Sequence, residues 1–585
     1  MSDPVSLSDR QLRDRAVAAA RGDEPFDLLI CGAAVADLVL GELRPADVGI
    51  TGPMISSVHP PGELMDTSEI LDGSSMILVP GFIDTHMHIE SSMVAPSIYA
   101  AAVVPRGVTT VVWDPHEFGN VSGLDAMEHV LEEAARSPLR ILVLAPSCVP
   151  SAPGYETSGA DFTPDVIAGL LRQPGIAGLA EVMDMSGVIR RENRLSGIVQ
   201  TGLESGKLVC GHARGLSGRQ LQAYAAAGIG SDHELTSSAD MLEKLRAGLT
   251  IELRGSHPYL LPEIAQALQN LPACPPTLTL CTDDVFPNDL LDRGGLNEVL
   301  RLLVLHGLEP LRALQAATLN ASIRLGRPDL GLVAPGRRAD LVLLRDLESF
   351  EAARVLCNGQ PPEFDRSPCR SFGATAWPGS PRPSDFEIAA RGPIARVATI
   401  DQPRFTKWGE RRVPVVDGHL APPDDVTRIA VLHRKPNAGG RPRVGFLTGW
   451  GSWNGAFATT VSHDSHNLTV FGNNCDDMAQ AANALIQSGG GMAVVQGGKT
   501  IAALPLPVAG LVSEEPLATV AAGFREVRAA MDNVVGWEPP YLVFKALVGA
   551  TLACNPGPHQ TDLGIADPAA AMLLASPLLE DGLSE

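Results

Sequence analysis

The sequence predicts an α/β fold whose central part is a (β/α)8 TIM-like barrel. Between residues 80 and 328, short apolar runs alternate with stretches of helical pattern such as 123–137 and 238–248. Buried parallel strands are typically continuous apolar runs, each followed by a helix. Eight such units in about 200–250 residues match the length of this fold. The predicted strands are 81–88, 108–115, 140–150, 176–184, 207–213, 229–234, 249–256 and 278–284.

The segments around the predicted barrel have a different pattern. Residues 1–23 are typical of a helical arm, and short apolar runs broken by turn residues follow as far as residue 79. The same pattern returns at 329–360, so we expect 1–79 and 329–360 to form one small β-sandwich module. A Pro-rich linker is predicted at 361–383. Residues 384–585 are predicted to form a C-terminal α/β domain.

The composition restricts both the partners and the compartment. The 585-residue chain has a formal net charge of −22, which disfavours nucleic acids and anionic membranes because their phosphates carry the same sign. No uncharged run reaches the roughly 18–20 residues of a membrane span, and residues 1–21 lack the apolar core of a secretory signal. The nine cysteines include no CxxC pair, which favours a reducing compartment. We therefore predict a soluble, cytoplasmic protein with a small-molecule ligand.

Polar residues at the ends of the predicted strands are the most informative part of the sequence. In barrels of this kind the reacting groups lie at the C-terminal strand ends. His86 and His88 end the first strand, and residues two positions apart on a strand point the same way. Four histidines and two carboxylates are predicted to converge on this mouth. They are His86, His88, Glu181, His212, His233 and Asp283.

This set of residues predicts a metal-dependent hydrolase. Nitrogen and oxygen ligands without thiolate are typical of Zn²⁺, Mn²⁺ or Fe²⁺ sites. Two metal ions about 3.5–4 Å apart can share a hydroxide and a bridging carboxylate, which makes the bound water a nucleophile near neutral pH. Asp283 is placed to take the proton of that water and pass it to a leaving nitrogen. We predict that Asp283, Glu181 and His233 are the catalytic residues.

Two motifs resemble the amidohydrolase superfamily. PGFIDTHMH at 80–88 is similar to the first-strand motif of that family, and GLVAPGRRADLVLL at 331–344 is similar to its return into the small β-module. Most binuclear members use a carboxylated lysine as the bridge, whereas this sequence has Glu181. Lys207 lies about 16 Å from His212 along an extended strand at 3.3 Å per residue, which is the wrong end of the barrel. The resemblance therefore implies that Glu181 is the bridge.

A longer set of motifs resembles the bacterial adenine deaminase family over nearly the whole chain. The resemblance implies a binuclear centre of Mn²⁺ or Fe²⁺, with Zn²⁺ also compatible, held by the six residues at the mouth. A metal-bridged hydroxide would attack C6 of free adenine and release ammonia, which gives hypoxanthine. The resemblance also implies a homodimer or a larger homo-oligomer. The motifs are HIESSM (88–93), DPHE (114–117), PSCVP (146–150), GLAEVMD (178–184), GHARGLSG (211–218), SDHE (231–234), CTDD (281–284) and VSHDSHN (461–467).

The eighth strand contains two neighbouring aspartates, and only one of them is expected to face the metal ions. Consecutive residues on a strand point to opposite faces. Asp283 follows the small residue Thr282, as the aspartate of the superfamily follows a small residue. We therefore predict that Asp283 faces the metal ions, whereas Asp284 points away from them and hydrogen-bonds nearby loop backbone or contacts the substrate.

Two further motifs have several interpretations. His116 and Glu117 follow the second strand and could orient substrate, line the mouth or hold a further metal, while Asp114 is equally typical of a helix cap. In the C-terminal domain, His463 and His466 belong to a dense polar loop. If that domain reaches over the mouth, either histidine could contact the substrate or close the site.

Other functions remain open at this stage. A hydrolase of cyclic amides or imides, like dihydroorotases and hydantoinases, would share the fold, but those enzymes usually have the lysine bridge and lack the long C-terminal domain. A non-catalytic scaffold on the same fold could lose its ligands, yet every expected ligand is present. The sequence His88-Ile89-Glu90 matches half of a zinc nucleobase-deaminase signature, but the PCxxC half is absent.

Overall fold

The computed structural model describes residues 6–364, 372, 377, 379–403, 405–435, 441–536, 547 and 549–583. Most of the predicted linker at 361–383, and residues 1–5 of the arm, therefore lie outside the described residues. Each of the eight predicted strands is present. No helix in the described ranges is both long and apolar enough to span a membrane. The eight strands are Phe82–Met87, Val108–Trp113, Arg140–Ala145, Ile176–Val182, Leu208–Gly211, Ser231–Asp232, Thr250–Arg254 and Leu278–Cys281.

The eight strands run parallel in two hydrogen-bonded sheets of five and three strands. The first and eighth strands are neighbours, because the N–H of Asp283 donates to the carbonyl of His86 at 3.1 Å. At the other seam, the N–H of Gly211 donates to Oγ of Ser231 at 3.4 Å. This curled sheet fits a TIM-like barrel, and we refer to it as the barrel unit. The C-terminal ends of its strands surround one mouth.

Helices follow the strands because the intervening segments are amphipathic and have local start signals. In Leu124–Arg136, for example, Met127, Val130 and Ala134 are buried on one face. Oγ of Ser237 accepts from the N–H of Asp240 and so caps the helix that begins at Ser238. The helices of the barrel unit are Pro96–Val103, His116–Ser122, Leu124–Arg136, Pro164–Leu171, Met185–Arg190, Asn193–Glu204, Gly218–Ala226, Ser238–Arg246, Leu261–Gln269, Pro287–Asp292, Leu296–Leu305, Pro310–Ala317 and Leu319–Arg324.

The β-module is assembled from both sides of the barrel unit. The returning strand Leu341–Leu344 pairs antiparallel with Ile77–Pro80, and the arm contributes the helix Arg10–Ala20. All seven strands belong to one hydrogen-bonded sheet, whereas a sandwich predicts two. The strands are Leu28–Asp37, Glu42–Thr51, Met54–His59, Ile70–Asp72, Ile77–Pro80, Leu341–Leu344 and Ala352–Leu356.

The C-terminal domain differs from the predicted α/β class. Its ten-stranded sheet is antiparallel except for one pair, Ile394–Asp401 with Arg443–Thr448. Short turns between consecutive strands explain the antiparallel pairing. Gly497 and Gly498, both at positive φ, form the whole connection between Gly491–Gln496 and Lys499–Pro505. Parallel strands need a much longer connection. The helices are Cys475–Ser488 and Leu517–Val534. The strands of the large sheet are Ile394–Asp401, Lys407–Val416, His419–Leu420, Val426–Leu432, Arg443–Thr448, Ala456–Thr459, Leu468–Gly472, Gly491–Gln496, Lys499–Pro505 and Leu578–Leu583. Two smaller antiparallel sheets consist of Ser452–Trp453 with Val535–Gly536, and of His559–Thr561, Gly564–Asp567 and Met572–Leu574.

Candidate active site

The first strand brings His86 and His88 to the mouth of the barrel unit. Their Nε2 atoms lie 3.6 and 3.5 Å from Oε1 of Glu181. The same two atoms lie 3.9 and 3.5 Å from Oδ1 of Asp283. Nδ1 of His88 is 3.0 Å from the carbonyl oxygen of Asp114, a contact that holds the ring with Nε2 towards the carboxylates. The two-residue spacing therefore places both imidazoles on one side, as the sequence predicts.

Glu181 lies at the centre of the group. Its Oε1 faces His86 and His88, whereas its Oε2 is 2.6 Å from Nδ1 of His212 and 3.3 Å from Nε2 of His233. The carboxylate is buried, with only 2% of the residue surface exposed. Its two oxygens thus face two different sets of imidazole nitrogens. This is the arrangement that a carboxylate shared by two metal ions requires.

Asp283 reaches the histidines through a turn and not through the strand. The eighth strand ends at Cys281, and Asp283 has a left-handed backbone with φ of 59°. Strand alternation was therefore the wrong reason for preferring Asp283 to Asp284, because neither residue is part of the strand. The turn aims Oδ1 of Asp283 at His88, while Asp284 lines the neighbouring cavity.

The unsatisfied ligand atoms of this cluster fit a metal centre. Buried polar atoms are normally hydrogen-bonded. Among the described residues, none is a hydrogen-bond partner for either ring nitrogen of His86. His212 and His233 each turn one nitrogen towards Glu181, and the other nitrogen of each ring has no partner in the described part of the chain. Imidazole and carboxylate ligands without thiolate suit Mn²⁺, Fe²⁺ or Zn²⁺. The residues present therefore fit a binuclear divalent metal centre.

Burial and neighbouring charges act in opposite directions on these groups. Burial favours the neutral form of His88, but the carboxylates of Glu117 and Asp283 outweigh it and raise its pKa well above the ordinary value. Burial also favours the neutral form of Asp283, yet the guanidinium of Arg254 holds its pKa well below the ordinary value. For His86, burial lowers the pKa strongly. Neighbouring groups of the site therefore have pKa values shifted in opposite directions.

Arg254 is a site residue that our sequence analysis missed. Its Nη1 donates to Oδ2 of Asp283 at 2.9 Å, and its Nη2 donates to Oε2 of Glu234 at 2.7 Å. Oγ of Ser256 donates to the same Asp283 oxygen at 2.8 Å, and Arg214 pairs with Glu234 at 2.6 Å. Arg254 ends the seventh strand and Glu234 follows the sixth. Charged residues at these strand ends were the signal that could have identified both.

The DPHE turn borders the same site. Oδ1 of Asp114 accepts from the N–H of His116 at 3.2 Å and Oδ2 accepts from the N–H of Glu181 at 3.3 Å. Asp114 therefore stabilises the turn and the adjacent strand, but it is not the helix cap, because Pro115 occupies the N-cap position of His116–Ser122. Its Oδ2 also lies 3.4 Å from Nδ1 of His116. Nδ1 of His116 is 3.7 Å from Oε1 of Glu181, and Oε2 of Glu117 is 3.4 Å from Nδ1 of His88. Both side chains lie next to the predicted ligands.

The C-terminal domain reaches over the mouth. Oδ1 of Asp464 lies 3.7 Å from Nε2 of His116. His463 lines the cavity above the barrel unit, and His466 is buried beside it, with 5.4 Å between the ring centroids. The loop 461–467 is therefore part of the site region, although it lies far from the other site residues in the chain.

Lys207 lies where the sequence analysis placed it, away from the mouth. Its Nζ donates to the carbonyls of Leu171 and Ile176, both at 2.6 Å. Ile176 begins the fourth strand, whereas Glu181 is near the end of that strand. Lys207 therefore cannot act as the bridging group without a different fold.

A cavity of about 640 Å³ lies above the predicted ligands. His212, Arg254 and Asp284 line it from the barrel unit, and Trp450 and His463 line it from the C-terminal domain. Its volume is within the roughly 300–1,000 Å³ of small-molecule sites. The arrangement can hold a small polar molecule against the clustered histidines and carboxylates.

Comparison with known proteins identifies the family of this chain. The amidohydrolase family model matches residues 77–361, and the model of the adenine deaminase C-terminal domain matches residues 403–571. "Adenine deaminase 2" of Rhizobium meliloti is 59% identical over 99% of both chains. The adenine deaminases of Klebsiella pneumoniae (strain 342) and Moorella thermoacetica are 50% and 37% identical over 96% and 88% of this chain, and over 95% and 90% of their own. The chain therefore belongs to the adenine deaminase family.

Proposed function

We propose that this protein hydrolyses free adenine to hypoxanthine and ammonia at a binuclear metal centre in a (β/α)8 barrel. The observation that carries the proposal is the position of Glu181 between two sets of buried histidines. The names of its relatives, which match it over nearly their whole length, support adenine as the substrate. The glutamate in place of the usual lysine bridge argues against a typical cyclic-amide hydrolase.

The metal ions would be held by residues of the barrel unit alone. Mn²⁺ and Fe²⁺ are the proposed ions, and Zn²⁺ is compatible with the same ligands. When bound, two divalent ions lower the pKa of a shared water towards neutrality and so supply the nucleophile. The proposed ligands are His86, His88, Glu181, His212, His233 and Asp283.

Asp283 moves the proton in this proposal. Arg254 and Ser256 hold its Oδ2 at 2.9 and 2.8 Å, which leaves Oδ1 facing the histidines. Asp283 takes a proton from the water as its oxygen bonds to C6 of adenine, and delivers that proton to the amino nitrogen as the C6–N bond breaks. The buried Arg254–Glu234 pair keeps the carboxylate oriented throughout, because a fixed partner removes the need for reorganisation.

The cavity supports a small heterocyclic substrate. Polar side chains from both domains line it, including Arg214, Asp284 and Asn555. The ring nitrogens and exocyclic amine of a purine offer both hydrogen-bond donors and acceptors to such a lining. A polynucleotide is a poor match, because the chain has a net charge of −22.

The direct test is ammonia release by protein stripped of metal and reloaded with Mn²⁺ or Fe²⁺. We expect adenine to be deaminated, adenosine to be left unchanged, and a chelator to abolish the activity until metal is restored. A panel of cyclic amides and imides serves as the comparison. Preferential hydrolysis of a cyclic amide would contradict the proposal. Folded protein that binds metal but never acquires hydrolytic activity would favour a scaffold.

We also propose that the protein acts in the cytoplasm as a homodimer or larger homo-oligomer. The family resemblance is what supports this assembly. Light scattering during size-exclusion chromatography measures the mass of the particle directly. A monomer at all concentrations tested would contradict the assembly.

A further inference from the structure

A second group of metal-binding side chains lies between the barrel unit and the C-terminal domain. His116 and Glu117 come from the turn after the second strand. His463, Asp464 and His466 come from the C-terminal loop that covers the mouth. We call these five residues the interdomain cluster. Three histidines and two carboxylates form it, again without thiolate.

The ligand atoms of the interdomain cluster form two overlapping groups that share His463. In each group, His116 with His463 and Asp464 or Glu117 with His463 and His466, the ligand atoms lie within 4.8 Å of one another. Nε2 of His116 is 3.7 Å from Oδ1 of Asp464 and 3.9 Å from Oε1 of Glu117. Nδ1 of His463 is also 3.7 Å from Oδ1 of Asp464. The ligands of a tetrahedral ion with bonds of about 2.1 Å are about 3.4 Å apart. Shifts of about 1 Å or less in these side chains would therefore let His116, His463 and Asp464 coordinate one ion, with Glu117 and His466 next to it through His463.

The polar atoms of the cluster are buried without conventional partners. His116, Glu117, Asp464 and His466 are each at most 2% exposed. In the part of the chain that the structure describes, neither nitrogen of His116, neither carboxylate oxygen of Glu117 or Asp464, nor Nε2 of His466 has a hydrogen-bond partner. Two carboxylates in such a position require a nearby positive charge. The imidazoles of His88 and His116 lie next to these carboxylates at 3.4 and 3.7 Å, and a cation bound among them would add the further positive charge that two buried carboxylates favour.

The interdomain cluster is distinct from the predicted binuclear centre. The ligands of the binuclear centre all come from the barrel unit, whereas the cluster takes three of its five residues from the C-terminal domain. His116 lies between the two groups: Nδ1 is 3.7 Å from Oε1 of Glu181, and Nε2 faces Asp464. The binuclear centre and the interdomain cluster therefore face different ring nitrogens of His116.

We propose that the interdomain cluster binds one divalent first-row metal ion in addition to the binuclear pair. The mixed imidazole and carboxylate ligands match Mn²⁺, Fe²⁺ or Zn²⁺. An ion at this position ties the C-terminal loop to the barrel mouth and fixes His463 at the wall of the cavity. The site does not depend on the identity of the substrate.

Metal stoichiometry tests this proposal. The full chain is loaded with excess Mn²⁺, passed through a desalting column and analysed by mass spectrometry of the elements. We expect the wild type to retain one equivalent more than the binuclear pair. Asp464→Asn and His466→Asn should each lose that single equivalent and keep the pair. Asparagine suits position 466, because His466 has φ of 52° and asparagine tolerates left-handed backbone.

Two further variants separate this site from the proposed active site. Glu181→Gln should lose ions of the binuclear pair but retain the additional equivalent. Asp562→Asn is the matched control, since Asp562 also lies between the domains, where its Oδ1 accepts from the N–H of Thr157 at 2.9 Å, outside the interdomain cluster. It should keep every equivalent. These metal counts are measured independently of activity. If the protein does not deaminate adenine, the expected counts for each variant stay the same.

Two further measurements test the proposal even if a variant fails to fold. Anomalous diffraction at the manganese edge should show a peak among His116, Asp464 and His463 in wild-type crystals. Mn²⁺ should also raise the unfolding temperature more for the wild type than for Asp464→Asn, because a ligand of the native state stabilises it. A wild type that retains only two equivalents, with no third anomalous peak, would overturn the proposal and leave protonated His116 as the counter-charge.

Discussion

The two ends of the barrel unit both bury charged residues, but they satisfy those charges differently. At the N-terminal strand ends, Arg140 donates to Oγ1 of Thr110 at 3.3 Å and to Oδ1 of Asn358 at 3.2 Å, and it pairs with Asp340. Oδ1 of Asp340 also accepts from the N–H of Asn358 at 2.7 Å. This network joins the barrel unit to the β-module, and its charged groups have protein partners.

At the C-terminal strand ends, several buried imidazole nitrogens have no hydrogen-bond partner among the described residues. The nitrogens of His86 are the clearest case. Burial of charge therefore does not by itself indicate function. A charged network whose groups all have protein partners contributes to stability, whereas a buried set of imidazoles and carboxylates with unsatisfied ligand atoms indicates a cation-binding site. Four substitutions test this difference between the two ends of the barrel unit.

The largest effect is expected for Glu181→Gln. The amide removes the negative charge shared by both sets of histidines, so metal content should fall together with turnover. We expect adenine deamination to decrease by about 10⁴-fold or more, at or beyond the upper end of what one acid–base group supplies. Elemental analysis and an ammonia assay measure the two quantities. Full activity with unchanged metal content would show that Glu181 is not the bridge.

Asp283→Asn should slow turnover by about 10²–10⁴-fold, the contribution of one proton-transferring group. The metal ions should stay largely bound, because the other ligands remain. Asp284→Asn is the matched comparison and should be milder, since Asp284 lines the cavity and does not face the histidines. The kcat of both variants with metal-replete protein decides between them. The reverse ranking would mean that the neighbouring aspartate is the proton carrier.

Arg140→Met tests the opposite end of the barrel unit. Removing one partner leaves Asp340 buried without its counter-charge, which costs about 3–5 kcal/mol of unfolding free energy. Urea unfolding measures that loss. Metal content and kcat of the folded fraction should match the wild type. The double variant Arg140→Met/Asp340→Asn should recover part of the stability. If Arg140→Met alone loses metal, the charged network at the N-terminal strand ends would not be independent of the site at the C-terminal strand ends.

Arg254→Gln tests a charge that has protein partners but lies at the functional end. Arg254 positions Asp283 through one hydrogen bond and pairs with Glu234. Loss of such an outer partner typically costs about 10–100-fold, and we expect this loss in kcat with little change in KM. Arg254→Lys should restore part of it, because the positive charge remains. A change in the unfolding temperature without a change in kcat would make Arg254 purely structural.

Much of the site could be predicted from residues at strand ends. Parallel strands that alternate with helices must bring their C-terminal ends to one mouth, so His86, His88, Glu181, His212 and His233 were expected to converge. Asp283 was identified for an inadequate reason, since its position depends on a turn at positive φ. Arg254 was missed because an arginine at a strand end has many ordinary interpretations in the absence of its partners.

Local sequence patterns were sufficient to predict the eight parallel strands, the shared direction of His86 and His88, and the position of Glu181 near the end of the fourth strand. These are local properties, set by the apolar pattern and the alternation of side chains along a strand. Three features could be recognised only in the tertiary structure: the antiparallel C-terminal sheet, the direction of the Asp283 carboxylate and the interdomain cluster. Those features depend on turns and on contacts between distant segments, such as Asp464 with His116, for which no local pattern in the chain provides a signal.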